Sequence, residues 1–176
     1  MFARSLTVIK NMKCNMSTIR NVNALKVFQD SCYHKIDFKI NEDANVNEAV
    51  NKFTAFNIGC LAVTNNKNKV IGVCSERDYI KKVPFLKNND NLKIKDISTY
   101  GPNIIVARKN DSLEMCMNKM MFKDIRHLLI IDDNDEDCLG MISIKDLIRE
   151  LNKKNDDIIT RLSDFKIRKG TYFGSE

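Results

Sequence analysis

Two stretches decide how this chain folds: VIGVCSERDYIKKV, residues 70–83, and CLGMISIKDLIREL, residues 138–151. Laid on each other at an offset of 68, Gly72, Ser75, Asp78, Ile80 and Val83 fall on Gly140, Ser143, Asp146, Ile148 and Leu151. Each stretch opens with a short apolar run, passes through Ser-x-x-Asp, and continues with helical character. That is the pattern of a strand leading into a helix. Two such junctions in one chain point to an internal repeat.

Working outward, the match continues upstream at an offset of 67. Val46, Ala49, Val50 and Phe53 fall on Leu113, Cys116, Met117 and Met120, and Ile58 and Leu61 fall on Ile125 and Leu128. The first two sets have i, i+3, i+4, i+7 spacing, the apolar stripe of an amphipathic helix. The one-residue slip lies between Thr64 and Val70 in one copy and after Ile131 in the other, in polar turns where an extra residue is easily accommodated. Each copy therefore reads as strand, helix, strand, turn, strand, helix. The first has strands near 36–41, 60–64 and 69–74 and helices near 45–57 and 76–86. The second has strands near 103–108, 127–132 and 138–142 and helices near 112–123 and 144–154. Asn45 and Ser112 suit helix N-caps. One such unit cannot bury its apolar faces alone, so the expected fold class is α+β (α/β). Two β-α-β-β-α repeats would pack sheet to sheet as a pseudo-twofold pair. Residues 87–91 read as a loop and 92–97 as a short helical turn, with residues 17–28 as its counterpart before the first copy. Beyond Asn155, Ile158, Leu162 and Phe165 at helical spacing suggest an appended helix covering the module or a partner, and the chain from Lys169 reads as frayed.

The net charge of +6 resides almost wholly in the N-terminus. Residues 1–29 hold five basic residues and no acid, leaving 24 Lys+Arg against 23 Asp+Glu elsewhere. The folded part thus lacks the basic face of a nucleic-acid binder. No apolar run approaches the ~20 residues of a membrane-spanning helix. Phe2, Leu6, Ile9 and Met16 fall near one helical face, with Arg4, Lys10 and Lys13 largely off it, the composition of a mitochondrial transit peptide. The organisation expected is a transit peptide over 1–16, a first motif with its leading helix over 17–86, a linker and short helix over 87–97, a second motif over 98–154 and a helical tail over 155–176. Six scattered cysteines without a Cys-x-x-Cys pair indicate a reducing compartment. The two histidines, His34 and His127, have no metal-ligand spacing, so no metal is expected.

The repeat resembles the tandem CBS-domain pair, or Bateman module, over about residues 17–165. Val46-Asn-Glu-Ala49, Ile58–Val63 and Val70–Asp78 carry the likeness in the first copy, and Ile125–Ile130 and Leu139–Asp146 in the second. Ser75–Val83, the Arg126-His127 pair and Arg161-Leu162 look like mitochondrial CBS-domain proteins of the plant type. The resemblance implies a homodimer. It also implies an adenosine-containing ligand (AMP, ADP, ATP or S-adenosylmethionine) in the cleft between the copies, and a regulated partner protein, such as a mitochondrial enzyme or redox protein.

Spacing alone makes Ser75-x-x-Asp78 and Ser143-x-x-Asp146 capping boxes, since serine caps a helix while an acid at the third position returns the bond. The resemblance adds a second role, with the aspartate holding a ribose diol and serine and helix amides meeting phosphate. Arg126 and His127, opposite Gly59 and Cys60 of the first copy, imply phosphate contacts, since guanidinium forks and imidazole suit phosphate oxygens. Arg77 and Lys145 are secondary candidates, and Ile36 or Ile104 would flank the adenine. The expectation is one main site, Asp78 with Arg126 and His127. A weaker or empty site would surround Asp146, facing Gly59 and Cys60 without the basic pair. The chain departs from the family at Asn41 and Arg108, where proline is common, and at Ser98–Pro102, where Met-Thr is usual. With no phosphate-binding glycine loop or nucleophile–base pair, a catalytic role ranks below a regulatory one. The competing reading is a ligand-free assembly subunit of a mitochondrial complex, and the alternative location is the cytoplasm.

Overall fold

A computed structural model describes residues 22–85, 91–132 and 137–172, so the transit-peptide reading lies outside the described residues. The first repeat contains β1 (Lys39–Asn41), α2 (Val46–Phe56), β2 (Cys60–Thr64), β3 (Val70–Ser75) and α3 (Glu76–Lys82). The second contains β5 (Val106–Arg108), α5 (Leu113–Phe122), β6 (His127–Ile131), β7 (Cys138–Ser143) and α6 (Ile144–Tyr172). A short helix precedes each: α1 (Ala24–Gln29) and α4 (Ile94–Ile97), the latter followed by β4 (Thr99–Tyr100). In each sheet the first strand runs parallel to the second, and the second pairs antiparallel with the third. All five residues of β2 are buried, which explains its unbroken apolar run, because a strand covered on both faces has no polar side to alternate with. Leu61, Val63, Leu128, Ile130, Met141 and Ile142 form the centre of the core. Each contributes ~1.5–3 kcal/mol of apolar burial.

The register shifts at Val63/Thr64 in one sheet and at the equivalent Ile130/Ile131 in the other, just before the turn in which the sequence offset slips. In the first turn the Asn65 side chain accepts from the amides of Lys67 and Lys69, and Asn68 adopts φ +60°. Asparagine tolerates that left-handed conformation better than most residues.

The short helices are exchanged between the repeats. The amides of α1 donate to the second copy, Ala24 to Asp111 O at 2.8 Å and Leu25 to Lys109 O at 3.2 Å. Those of α4 donate to the first, Ile94 to Ala44 O at 3.0 Å and Lys95 to Glu42 O at 2.9 Å. Strand β4, from the start of the second motif, pairs with β3 and gives the first sheet a fourth strand. Side chains follow the backbone. A Cβ on Gly72 would stand 2.8 Å from the Tyr100 ring, and one on Gly140 would stand 2.6 Å from the Phe28 ring. Glycine at both positions lets the other repeat's leading segment lie directly on the sheet.

Several boundaries differ from the sequence expectation. Residues 36–38 precede the strand, since Cys32–Lys35 form a 3-10 turn and β1 begins at Lys39, with Phe38 O accepting from Ala62 N at 2.8 Å at its entrance. Pro102 within the 3-10 turn Gly101–Asn103 delays β5 to Val106, because its fixed φ suits a helical turn and it lacks a ladder donor. Helix α3 ends at Lys82, where Val83–Phe85 tighten into a 3-10 turn at Pro84. The tail is no separate helix. It is the continuation of α6, which runs unbroken to Tyr172 because neither proline nor glycine interrupts it before Gly170. Ile158, Ile159 and Leu162 on it are 40%, 61% and 63% exposed, so none of these three side chains is buried against the described module.

Candidate functional site

Two clefts lie between the repeats, related by the same pseudo-symmetry as the motifs. The first is bordered by Ser75, Arg77, Asp78, Ile104, Arg126 and His127, over an apolar floor of Cys60, Val73, Ile125, Leu129 and Met141. The second is bordered by Ser143, Lys145, Asp146, Gly59, Glu76, Arg149 and Tyr33. Ile36 lines neither cleft; it is half-buried against the core, because the turn at Cys32–Lys35 carries the chain away from the position Ile104 holds.

Arg126 and His127 border both clefts, which corrects the expectation that the Asp146 side lacks the basic pair. They stand at the start of β6, near its pseudo-symmetry mate β2, so one pair serves as a ridge between the two openings. Gly59 makes this possible, since a Cβ there would meet Glu76 Oε2 at 3.1 Å and His127 Cε1 at 3.3 Å. Cys60, expected on the Asp146 side, is instead in the floor of the first cleft.

Both Ser-x-x-Asp motifs form capping boxes. Asp78 Oδ2 accepts from Ser75 N at 2.9 Å and from Ser75 Oγ at 2.6 Å, and Asp78 N donates back to Ser75 Oγ at 3.3 Å. Ser143 and Asp146 repeat these distances. The serine hydroxyls are therefore already engaged. So are the amides of Glu76, which donates to Gly59 O, and of Ile144, which donates to Arg126 O. Each aspartate keeps its second oxygen, and here the copies part. Asp78 Oδ1 makes no hydrogen bond or ion pair among the described residues, whereas Asp146 Oδ1 lies 3.5 Å from Arg149 and its residue is 3% exposed.

The basic groups differ in availability. The Arg126 residue is exposed, and its guanidinium makes no ion pair or hydrogen bond among the described residues. Arg77 Nη1 donates to Asp124 O at 2.9 Å and pairs with Asp124 Oδ2 at 3.3 Å, bracing the turn that leads into Arg126. Asp124 holds φ +49°, and its mate Asn57 holds φ +52°. His127 is held at about 4, chiefly by burial and further by the Arg126 charge, with Asp146 opposing. At neutral pH it offers a neutral imidazole, able to donate or accept a hydrogen bond but carrying no charge. Burial likewise pushes the Cys60 thiol up, so it remains a protonated part of the apolar floor.

A model of the CBS domain matches residues 34–84 and 94–153, well over half of the chain. The chain belongs to the CBS-domain family. The CBS pair is 28% identical over 126 residues to a mitochondrial CBS domain-containing protein, CBSX3, of Arabidopsis thaliana, covering 70% of this chain and 60% of that protein. It thus spans less than two thirds of that relative's length. Among solved structures, the CBS domain pair of protein MJ0100, in complex with 5′-methylthioadenosine and S-adenosyl-L-methionine, superposes with a TM-score of 0.63 at 20% identity. It covers 76% of this chain and 98% of that one. A CBS domain protein from Pyrobaculum aerophilum complexed with AMP superposes with a TM-score of 0.62 at 19% identity, covering 75% and 99%. The fold of the pair is that of these structures.

Sequence reasoning missed Tyr33 and Glu76, which enter the second cleft. Tyr33 had a readable signal, since Ser31-x-Tyr33 recurs as Ser98-x-Tyr100 at the same offset of 67. Glu76 had none, because its mate in the second copy is Ile144 and only the geometry brings its carboxylate to Gly59.

Proposed function

We propose that this CBS pair is a non-catalytic nucleotide sensor. It binds an adenosine-containing ligand in the first cleft and transmits occupancy to a partner protein. One observation carries the reading: Asp78 Oδ1 and the Arg126 guanidinium, neither engaged among the described residues, border one cleft with an apolar floor. A purine suits the floor, a ribose diol suits a carboxylate oxygen that can accept two hydrogen bonds, and a guanidinium suits phosphate. The ligands of the two related structures share adenosine, which supports that choice. The acid-free N-terminus and the mitochondrial Arabidopsis relative support a matrix location, and the family resemblance supports a homodimer.

Calorimetric titration of the purified chain with AMP, ADP, ATP and S-adenosylmethionine tests the reading. Saturable binding weakened by Arg126→Ala for the phosphorylated ligands is the expected result. No heat at millimolar ligand would reject it and favour the ligand-free assembly role.

A further inference from the structure

The two clefts are pseudo-equivalent, yet their apolar ends are built differently. The cause lies in the motif Ser31-Cys-Tyr33, repeated as Ser98-Thr-Tyr100. Both serines are buried, and each donates its hydroxyl to the short helix before it, Ser31 Oγ to Phe28 O at 2.8 Å and Ser98 Oγ to Ile94 O at 2.6 Å. The tyrosines then take different seats. Tyr100 lies in β4 with its ring on Gly72. The symmetric seat, on Gly140, is taken by the Phe28 ring. Displaced from it, the first copy's motif winds into the turn Cys32–Lys35 and Tyr33 borders the second cleft instead. There it is 2% exposed, with its ring edge-on to His127 at a centroid distance of 6.0 Å. Both tyrosine hydroxyls are buried without a hydrogen-bond partner among the described residues, so the orphan hydroxyl is common to the motif. What distinguishes Tyr33 is its seat.

We propose that Tyr33 fills the position of a ligand base in the second cleft, so that it limits the CBS pair to one adenosine site. This rests on the nucleotide-sensor reading above. The rest of that cleft retains the parts of a site, with Asp146 in the same cap geometry as Asp78 and with Lys145 and the shared Arg126 at its border. Glu76 adds a carboxylate there; its sequence mate, the apolar Ile144, lines the same cleft, so the first cleft has no counterpart of that carboxylate among its lining residues. The second cleft therefore carries both signs of charge, Glu76 beside Lys145, Arg126 and Arg149, so an adenosine derivative without phosphate tests the base position alone.

The test is calorimetric titration of the full chain with 5′-methylthioadenosine, which has the adenosine and no phosphate. The expected result is one ligand per wild-type chain and two per Tyr33→Ala chain, the second being lost in Tyr33→Ala/Asp146→Asn. One ligand per chain in both wild type and Tyr33→Ala overturns the Tyr33 proposal and leaves the first-cleft reading standing. No ligand for wild type but one for Tyr33→Ala, lost with Asp146→Asn, supports the Tyr33 proposal and rejects the first-cleft reading. No ligand for either rejects both. If Tyr33→Ala shows no cooperative melting, Tyr33→Leu, which retains apolar volume near the backbone and withdraws the outer ring, is titrated against the same outcomes.

Discussion

Asp78 has two oxygens facing two tasks, and two substitutions separate them. Asp78→Ala removes the acceptor for Ser75 N and Ser75 Oγ, bonds of 2.9 and 2.6 Å, and so breaks the capping box. Loss of a cap costs about 1–2 kcal/mol. At roughly 2–4 °C per kcal/mol for a domain of this size, the melting temperature should fall by about 2–8 °C. Asp78→Asn keeps one carbonyl oxygen for the Ser75 side and turns only the free Oδ1 into an amide donor. Its melting temperature should stay within about 2 °C, since asparagine still accepts the serine bonds. A ribose diol meeting that donor loses hydrogen bonds to a charged acceptor, each worth about 1.5–3 kcal/mol. Even a net loss of about 2 kcal/mol weakens AMP roughly 30-fold. Asp146→Asn is the matched control, with the same cap preserved in the other cleft and AMP affinity unchanged. Calorimetry and thermal melting of the three variants give all the numbers. If Asp78→Asn bound AMP like wild type, or Asp146→Asn weakened it equally, the assignment of the free oxygen would be wrong.

Other consequences follow from the same geometry. His127, held at about 4 by burial and Arg126 against an unfolded value near 6.5, resists protonation in the folded state. Because its folded value is depressed, the stability it confers is full above the unfolded value and declines as pH falls from about 6.5 to 4, by up to roughly 3 kcal/mol. The drop in melting temperature over that window should be visibly shallower in His127→Gln. Gly140→Ala places a Cβ 2.6 Å from the Phe28 ring and should destabilise by about 1–3 kcal/mol in chemical denaturation, with partial rescue by Phe28→Leu. Arg126→Ala should weaken AMP by about tenfold or more through loss of a charge-assisted contact and leave adenosine affinity unchanged. Arg77→Ala should weaken AMP no more than about threefold, since Asp124 already holds that guanidinium, and its exposed pair should contribute no more than about 1 kcal/mol to stability.

How far the sequence could be read depends on what each residue type reports. The stripes of Val46, Ala49 and Phe53 and of Cys116 and Met120 are buried as their spacing requires, since a helix has one face to the core. The strands β2 and β6 also lie where their apolar runs put them. The slip in offset lies in the turn itself, five residues between Thr64 and Val70 against six between Ile131 and Cys138, while the register shift beside it is common to both sheets. Among site residues, Ser75, Arg77, Asp78, Ile104, Arg126 and His127 do border one cleft. What periodicity could not report is which repeat a segment packs on. Apolar spacing says that α1 has a buried face, yet nothing local says that the face meets β7 of the other copy.

That exchange is reciprocal, and the asymmetry comes from the side chains it carries: Phe28 of α1, which lies on Gly140, has Lys95 as its mate at the offset of 67. With the leading segments exchanged, the seat on each glycine is filled from the opposite repeat, and each filling can vary without disturbing its mate. Phe28 on Gly140 and Tyr100 on Gly72 are two solutions to one packing problem. The first displaces Tyr33 into a cleft that is otherwise assembled like its neighbour. Both capping boxes are retained with equal distances because each starts a helix, a requirement that holds whether or not a ligand is present. Identities between the repeats therefore report on folding. It is the differences, Arg126 opposite Gly59, Glu76 opposite Ile144 and Phe28 on the seat of Tyr33, that separate the electrostatics and shape of the two clefts and leave an uncommitted carboxylate oxygen in the first alone.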